Sequence, residues 1–334
     1  MVDFSKGISA RYYATRVDPR TWADAGEIAI ISGDITKNVS SEIVVSAALK
    51  VSEDIGTEDW IRIYMIAEQD GAKERVPIFT GIVSSPSRDI KGNAETRALD
   101  CYSVLKVAAD ILLPLGWFAP ARTNGGELIR ILLSDLPCPV ELDEGSPDII
   151  SSFVAGDDDS KLSVAQEIAE AINWQIKVNG DGSVRICPKP LYISGTFDNI
   201  ENDIIETSVS DDRDIFAIPN ILRVTLDGSA AIARDDDPDS MFSTVSRGRE
   251  VWKQETAKLA AGESLGEYAT RRLKELQSPS RKLSYTRRYQ PDVDVNDLVS
   301  IVYPKQDIGD VFRVKSQQIT LSHGAKVKEE VINE

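Results

Sequence analysis

Alternating hydrophobic and polar positions predict β-strands through the first hundred residues. β-Branched residues dominate the run from Ile43 to Val51, and the segment from Trp60 to Ala67 alternates like a strand. Asp70-Gly71 is typical of a hairpin turn. The next apolar run, Val76 to Val83, has a proline at its entry and Gly81 inside it, which indicates a bulge or a close approach of two backbones. These patterns favour a small barrel or sandwich.

From residue 101 the hydrophobic spacing becomes helical. A first helix is predicted up to Pro114, with a buried face formed by Cys101, Val104, Leu105, Ala108, Ile111 and Leu112. A second helix starts at Asn124, which can cap the backbone while Glu127 reaches back, and it stops at Pro137. Its buried stripe is Leu128, Ile131 and Leu132. Ser163 and Gln166 have a similar capping spacing and predict a third helix.

The rest of the chain returns to strands. Residues 141–159 are rich in acidic residues, Gly and Pro, which predicts an exposed connector. Residues 174–178 and 184–186 alternate on either side of Asn179-Gly180-Asp181-Gly182 and predict a hairpin. Ser264 and Glu267 cap a further helix, which Ser278-Pro279 closes. Strands are predicted at 221–226, before an Asp227-Gly228 turn, and at 283–289, 298–303, 311–314 and 319–321.

Composition bounds the fold and the partners. With 334 residues, of which 42% are hydrophobic and 28% charged, the chain is expected to form two or three globular domains. Its 54 acidic and 38 basic residues give a net charge of −16, which repels phosphate backbones and anionic lipids and disfavours nucleic-acid binding as a primary role. No segment has the apolar length of a membrane span, and the first residues lack an apolar signal core. We therefore expect assembly in a cytosol and no membrane insertion.

Residue types that carry catalysis are few and poorly spaced. Cys101, Cys138 and Cys187 are odd in number and far apart, so they predict small buried residues rather than a zinc site or a disulfide framework. The single histidine, His323, lies in a strand-like segment without a nucleophile motif, which favours a structural role. No phosphate-binding glycine motif is present. The sequence predicts no catalytic residue, no metal ligand and no cofactor.

Two features leave alternatives open. The acidic cluster Asp235-Asp236-Asp237-Pro238-Asp239 offers oxygen ligands for calcium but lacks EF-hand spacing, so a solvated turn is the first interpretation and a cation site the second. The aromatic pairs Tyr12-Tyr13 and Trp117-Phe118 could stack on sugars, although such pairs more often lie half in a core and half in an interface. Carboxylate pairs at hydrolase spacing are uninformative, because 54 acidic residues guarantee some in any fold.

One stretch runs against the acidic composition. From Arg247 to Arg288 there are eleven basic and five acidic residues, a local net charge of +6. A basic stretch in an acidic chain suits contact between subunits. The candidate interface residues are Arg247, Arg249, Arg271, Arg272, Arg287 and Arg288. A solvated helix face with pairs such as Glu267 to Arg271 is an equally open interpretation.

Three stretches resemble the tail hub proteins of long-tailed phages and related contractile injection particles. The first is residues 76–83 followed by 97–105, which is similar to a barrel strand that feeds a helix of an inserted domain. The second runs from Ser163 through Trp174 and the hairpin to Pro188. The third is residues 295–304 with 309–314 and 319–322, similar to the closing strands of a tube-type barrel. Order and spacing, rather than a chemical motif, carry the resemblance.

The resemblance implies a β-rich α+β fold with two small tube-type antiparallel β-barrels and an inserted helical and hairpin region. The expected domains are a first barrel at 1–100, inserted helices with a helix-hairpin unit at 101–215, and a second barrel with one helix at 216–334. The two barrels are expected to be similar enough to superpose.

The resemblance also implies a structural protein of a tail tip or baseplate. It would form a homotrimer, a pseudo-sixfold ring that connects the tail tube or a distal tail protein to a central spike or fibre. DNA would pass through an acidic bore without specific binding, in a virion tail assembled in the host cytoplasm. The alternative is a cell-wall-directed tail enzyme or a carbohydrate-binding surface module, which cleavage or binding of peptidoglycan by the purified protein would favour.

Overall fold

The computed structural model describes residues 2–92, 94–198, 208–213, 215–226, 228–257, 264–277 and 281–333. The strands up to the middle of the chain are β1 Ser9–Val17, β2 Asp24–Asn38, β3 Val45–Val51, β4 Trp60–Gln69, β5 Ala72–Val83, β6 Ser87–Lys91, β7 Ala94–Ser103, β8 Phe118–Ala119, β9 Val140–Leu142, β10 Phe153–Val154, β11 Trp174–Val178, β12 Val184–Pro188 and β13 Ile193–Asp198. They are followed by β14 Ser210–Arg213, β15 Ile221–Leu226, β16 Ser229–Arg234, β17 Trp252–Thr256, β18 Arg281–Arg288, β19 Leu298–Tyr303, β20 Ile308–Thr320 and β21 Lys326–Ile332. The helices are α1 Leu105–Ala109, α2 Gly125–Leu132, α3 Lys161–Ala171, α4 Thr244–Arg247 and α5 Leu265–Leu276, with a 3₁₀ turn at Pro304–Gln306.

The chain divides into two compact units. The first unit consists of Met1–Val209 and Ser284–Val331, and the second of Ser210–Leu283 and Ile332–Glu334. The division into 1–100, 101–215 and 216–334 stays a prediction.

The first unit contains a closed barrel of six strands. Pairing runs β1-β4-β5-β7-β3-β2 and returns to β1, and each pairing is antiparallel. Buried side chains on these strands include Ile35, Ile63 and Phe79, which suit a pleated, packed surface. Closure leaves this ring without an unpaired edge. The small barrel that the sequence predicts is confirmed.

Two local predictions in this barrel are also confirmed. Asp70 and Gly71 join β4 to β5 and both have positive φ, at 48° and 84°, as a type I′ hairpin turn requires. In β5 a Cβ on Gly81 would lie 2.2 Å from the Tyr102 carbonyl oxygen. The glycine therefore permits the close backbone approach that its position indicates.

A long strand, β20, joins this barrel to further strands of the first unit. Residues 316–320 pair with β2 and residues 308–313 pair with β19, both antiparallel. The path continues from β20 through β21 to β18, and β13 adds in parallel to β19. The prediction of separate strands at 311–314 and 319–321 is wrong, because the connecting Lys-Ser-Gln-Gln has no Gly or Pro to break the strand.

The inserted region differs from its prediction in two helix starts. Cys101 is a strand residue, paired with Ala47 and Val83, so the helix predicted from residue 101 is only the short α1. The third helix is capped by Ser160, whose Oγ accepts from the Ser163 amide at 3.0 Å, and not by Ser163. The hairpin of β11 and β12 is confirmed, and β9 extends it in parallel on the β12 side.

The second helix, α2, starts at the predicted cap but packs through a different stripe. Asn124 accepts from the Glu127 amide at 3.0 Å. Ile129 and Leu132 are buried, whereas Ile131 is 62% exposed. The predicted stripe of Leu128, Ile131 and Leu132 is therefore wrong in part.

The second unit is built on a three-stranded sheet in the order β16-β15-β17, in which β17 is parallel to β15. Its core joins Leu222 and Val224 of β15 to Tyr268, Ala269 and Leu273 of α5. The strand at 221–226 is confirmed, and so is the helix, whose Ser264 and Glu267 form a capping box. The predicted Asp227 turn residue and Ser278-Pro279 stop lie outside the described residues.

The β-rich α+β class is thus confirmed. No pairing among the described residues closes the path of β18, β21, β20, β19 and β13 into a ring, and β13 lies outside 216–334, so the second barrel stays a prediction. Among the described residues, no helix combines the length and apolar character needed to cross a membrane.

Candidate assembly surfaces

The first two arginines of the basic stretch bind backbone carbonyls inside the second unit. Arg247 donates to the carbonyl oxygens of Ile218 at 2.6 Å, Phe216 at 2.8 Å and Ile215 at 2.9 Å. Arg249 donates to the Phe216 carbonyl at 2.5 Å and stacks 3.8 Å from the centroid of its ring. Burial, and then repulsion from Arg249, lowers the pKa of Arg247. Both side chains hold the segment at 215–218.

Arg271 and Arg272 project from α5 and form ion pairs close to it. Arg271 lies 2.7 Å from Glu275, and Arg272 lies 3.0 Å from Glu275 and 3.1 Å from Glu255. Their side chains are 47% and 35% exposed. Because exposed pairs of this kind are held weakly, these two guanidinium groups can exchange their partners for those of another molecule.

Arg287, by contrast, is fully buried in the first unit. It donates to Glu329 from Nε at 2.8 Å and from Nη2 at 2.5 Å, and its guanidinium lies 4.5 Å from the Phe197 ring centroid. Its neighbour Arg288 is half-buried and donates to the Ser5 carbonyl at 3.1 Å. Burial lowers the pKa of Arg287, but Glu329 outweighs that effect and raises it.

The structure therefore separates the six predicted interface arginines. Arg247, Arg249, Arg271 and Arg272 belong to the second unit, and Arg287 and Arg288 to the first. A subunit interface formed by them stays a prediction. For Arg287 the premise of an exposed charge is wrong, because its side chain is inside the unit and neutralised there.

The contact that docks the inserted hairpin on the barrel was not predicted from the sequence. Arg62 of β4, which is 7% exposed, donates to the Asp181 carbonyl at 3.0 Å and to Asp24 Oδ1 at 2.8 Å. Trp22 Nε1 donates to the same Asp181 carbonyl at 2.9 Å. A Cβ on Gly180 would lie 2.0 Å from the Pro77 carbonyl oxygen. An arginine flanked by isoleucines in a strand is the one signal that could have indicated this anchor.

A second unpredicted cluster lies around Asp294. Its carboxylate is 2.8 Å from the Lys37 ammonium and 3.7 Å from that of Lys177. Burial raises the pKa of Asp294, but the two lysines outweigh burial and hold it below its ordinary value. Asp297 accepts from the Asp294 amide at 2.8 Å, and burial raises its pKa. The cluster ties β2, β11 and the loop before β19 together.

The three cysteines and the single histidine lie in surroundings that do not activate them. Burial raises the pKa of both the Cys101 and the Cys138 thiol to about 12, and it also raises that of Cys187, whereas a reactive thiol needs a lowered pKa. The Ser9 hydroxyl and His323 Nε2 lie 3.3 Å apart on the surface. Among the described residues no carboxylate is hydrogen-bonded to that imidazole, so the orienting group of a triad is missing there.

The acidic cluster at 235–239 uses its oxygens within the second unit. Asp235 accepts from Ser240 Oγ at 2.6 Å and from Gln277 Nε2 at 2.9 Å, and Asp236 lies 2.8 Å from Arg234. In the described part of the chain, no group of three or more His, Cys, Asp or Glu is arranged to hold a metal ion. These contacts are those of a solvated turn.

Sequence comparison identifies no relative: no protein-family model matches the chain, and neither does any curated protein. Solved structures do match. A tail protein from Neisseria meningitidis is 11% identical, with 97% of each chain covered and a TM-score of 0.68. The 43 kDa tail protein of prophage MuSo2 from Shewanella oneidensis is 11% identical, with 96% of this chain and 97% of that chain covered and a TM-score of 0.66.

A prophage tail protein from Listeria monocytogenes is 12% identical, with 97% of this chain and 94% of that chain covered and a TM-score of 0.55. Identities this low show a shared fold and leave function to be argued separately. The resemblance of the sequence to tail proteins of long-tailed phages is therefore confirmed at the level of the fold.

Proposed function

We propose that this chain is the structural hub of a phage-type tail tip or baseplate and has no enzymatic role. The observation that supports this most strongly is the full-length match in fold to phage tail proteins, over 97% of both chains in the Neisseria case. The closed six-stranded barrel, continued through β20 into a further set of strands, is the part that would build a ring.

The proposed assembly is a homotrimer. If each subunit contributes a first barrel at 1–100 and a second at 216–334, three subunits place six similar barrels around one axis. Such a ring matches a sixfold tube on one side and a threefold spike or fibre on the other. The region at 101–215 would then decorate the ring. The partners are the tail tube or a distal tail protein and the central spike or fibre.

DNA would cross this ring without specific binding, in a virion tail assembled in the host cytoplasm. The chain's net charge of −16 supports an acidic bore, because a basic wall would hold the polyanion through counterion release. The non-enzymatic role is supported by thiols of raised pKa and by the exposed Ser9 and His323 pair, which lacks an orienting carboxylate among the described residues.

The mass of the purified protein in solution tests the proposal directly. A trimer of the 36.7 kDa chain has three times that mass, and its electron-microscopic image should show six barrels around a channel. A monomer at micromolar concentration and physiological salt, in the presence of the purified tail tube, would contradict the ring. Release of peptidoglycan fragments, abolished by one carboxylate substitution, would contradict the non-enzymatic role.

The role of the basic stretch in assembly can be tested with its exposed residues Arg271 and Arg272. Arg271→Glu with Arg272→Glu should weaken trimerisation or tube docking, more at low than at high salt, because exposed charges are screened. Arg130→Glu is the matched control, since Arg130 is also an exposed helical arginine, paired with Glu127 at 2.6 Å. Equal trimer mass and tube binding in both variants would assign the stretch to solvated surface.

A further inference from the structure

Trp22 has a backbone conformation that usually belongs to glycine. It lies at the end of the β1–β2 turn, where its amide donates to the Asp18 carbonyl at 2.8 Å. Its φ is 58°, in the left-handed region that glycine enters freely and a residue with a Cβ enters only at a cost. Strain of this kind persists only where the surrounding structure enforces it. Contacts of the Trp22 side chain therefore offset the cost of its backbone conformation.

The Trp22 side chain lies between the barrel and the turn of the inserted hairpin. Its ring packs edge-on against Trp60 of β4, with the ring centroids 5.4 Å apart, and its Nε1 donates to the Asp181 carbonyl at 2.9 Å. A Cβ on Gly182 would lie 2.7 Å from Trp22 Cζ2, so this glycine lets the turn lie directly against the ring. The docked hairpin is thus part of what holds Trp22 in its left-handed conformation.

The hydrogen bonds from the barrel to the turn end on backbone carbonyls. Thr80 Oγ1 donates to the Gly180 carbonyl at 2.8 Å. Arg62 Nη2 donates to the Asp181 carbonyl at 3.0 Å, beside the bond from Trp22. The tip of the turn reads Gly-Asp-Gly and brings no apolar side chain to the contact. Water replaces such hydrogen bonds when the turn leaves, so each contributes only modestly to docking.

The turn and the barrel each keep their shape without the other. In the turn, the Asn179 amide donates to the Ser183 carbonyl at 2.9 Å. Ser183 Oγ also donates to Asp181 Oδ1 at 2.8 Å. On the barrel, Arg62 is held by donating from Nε to Thr80 Oγ1 at 3.0 Å, within a ring of strands that closes on itself. The turn can therefore separate from the barrel while both stay folded.

We infer that the hairpin turn at 179–183 is a reversible latch on the barrel and that Trp22 responds to its state. With the turn docked, the contacts of the indole hold Trp22 at positive φ. With the turn released, those contacts are absent and Trp22 relaxes to negative φ, which favours the released state. The latch therefore couples the inserted hairpin to the β1–β2 turn through two discrete arrangements. It concerns one subunit and does not depend on the trimer proposed above.

Hydrogen exchange of the full-length protein, followed by NMR, tests the latch. The Trp22 indole proton exchanges when the Asp181 carbonyl leaves it. We expect this exchange to be at least about a hundredfold faster than that of the β4 amides, because releasing the turn exposes far less surface than unfolding the barrel. Urea below the unfolding transition should accelerate the exchange of the β4 amides more steeply. One rate and one urea dependence for the indole proton and the β4 amides would refute the latch.

A thiol placed under the turn shows whether the turn itself moves. Thr80 is 1% exposed and its hydroxyl bonds to the Gly180 carbonyl, so Thr80→Cys should react with a thiol reagent only while the latch is open. Cys101 of β7 is 0% exposed and is the matched control within the same molecule. Peptide mass spectrometry should show labelling at position 80 at least about tenfold faster than at Cys101. Equal rates at the two positions would mean that the turn leaves only when the unit unfolds, and would overturn the inference.

The coupling to Trp22 is tested from the hairpin side. Gly180→Ala places a Cβ 2.0 Å from the Pro77 carbonyl oxygen and should open the latch. Exchange of the Trp22 indole proton and of its backbone amide should then accelerate by the same factor, at least about tenfold, whereas Gly7→Ala, with open space around it, should change neither. Acceleration at the indole without acceleration at the Trp22 amide would contradict the coupling. If Gly180→Ala does not fold, the two Trp22 protons of the native protein decide, because coupled protons share one free energy of opening.

Discussion

The buried pair of Arg287 and Glu329 provides the sharpest test of how the first unit is held together. The Glu329 carboxylate accepts from Arg287 at 2.8 and 2.5 Å, from the Tyr285 hydroxyl at 2.5 Å and from Gln317 Nε2 at 2.7 Å. Strands β18, β20 and β21 each contribute a side chain to this network. Both charged side chains are essentially inaccessible, at 1% and 0% exposure.

Removing the charge of Arg287 or of Glu329 leaves the other side chain charged and buried without its ion-pair partner. Arg287→Met should therefore cost about 3–5 kcal/mol of the free energy of unfolding, the range for breaking a buried ion pair. Glu329→Gln should cost a similar amount, because it strands the guanidinium instead. The double variant removes both charges but keeps an amide oxygen for Tyr285 and Gln317. It should recover at least about 2 kcal/mol relative to the sum of the single variants.

Urea denaturation followed by circular dichroism measures these differences. The matched control is Arg88→Met with Glu95→Gln, since Arg88 also forms a two-pronged contact with Glu95, at 2.7 and 2.6 Å, but on the surface. There each single variant should change the free energy of unfolding far less than at Arg287 or Glu329, because both charges of an exposed pair stay solvated when the other is removed. Additive losses at Arg287 and Glu329, or losses no larger than those of the control, would refute the reasoning.

Three further variants probe other contacts. Gly180→Ala should lower stability by about 1–3 kcal/mol in urea denaturation, because its Cβ would lie 2.0 Å from the Pro77 carbonyl oxygen, whereas Gly7→Ala, with open space around it, should not. Asp294 has a folded pKa below its unfolded value of about 3.9, so its stabilisation is present above that pH and lost as pH falls through the folded pKa. Asp294→Asn should thus destabilise at pH 7 and converge with the native protein in acid; a pH-independent difference would count against this. Ser264→Ala should lower the stability of α5 by about 1 kcal/mol, which faster hydrogen exchange of the α5 amides would show. Ser264→Thr should restore the protection of these amides from exchange.

Strands and turns were predictable from the sequence where one local rule dominated. The Asp70-Gly71 turn was predictable because a hairpin turn requires residues that adopt positive φ. The start of α2 was predictable because the Asn124 side chain can accept a hydrogen bond from the backbone amide three residues later. The helix predicted from Cys101 failed because β7 continues through Ser103, held by pairing with β3 and β5. Such pairing is between residues distant in sequence and overrides a local helical period.

The errors in helix packing have a similar origin. Gly125 and Gly126 let α2 approach its neighbours so closely that added Cβ atoms would lie 2.9 Å from Ile172 and 2.5 Å from the Ser146 hydroxyl oxygen. That approach selects which face is buried, and it leaves Ile131 exposed. Periodicity predicts that a helix has an apolar face, but the neighbours decide where that face is centred.

The number of charged residues follows from the sequence, but the contacts that each charged side chain makes do not. Arg247 and Arg249 bind carbonyls of residues 215–218, so substituting either one should loosen the second unit whatever the salt concentration. Arg271 and Arg272 have exposed carboxylate partners, so their contribution to any assembly should fall with salt over a Debye length of about 8–10 Å. A salt-dependent defect confined to Arg271 and Arg272 would therefore identify a true contact surface. A salt-independent defect at Arg247 would report only on folding, even though the two pairs belong to one basic stretch of the sequence.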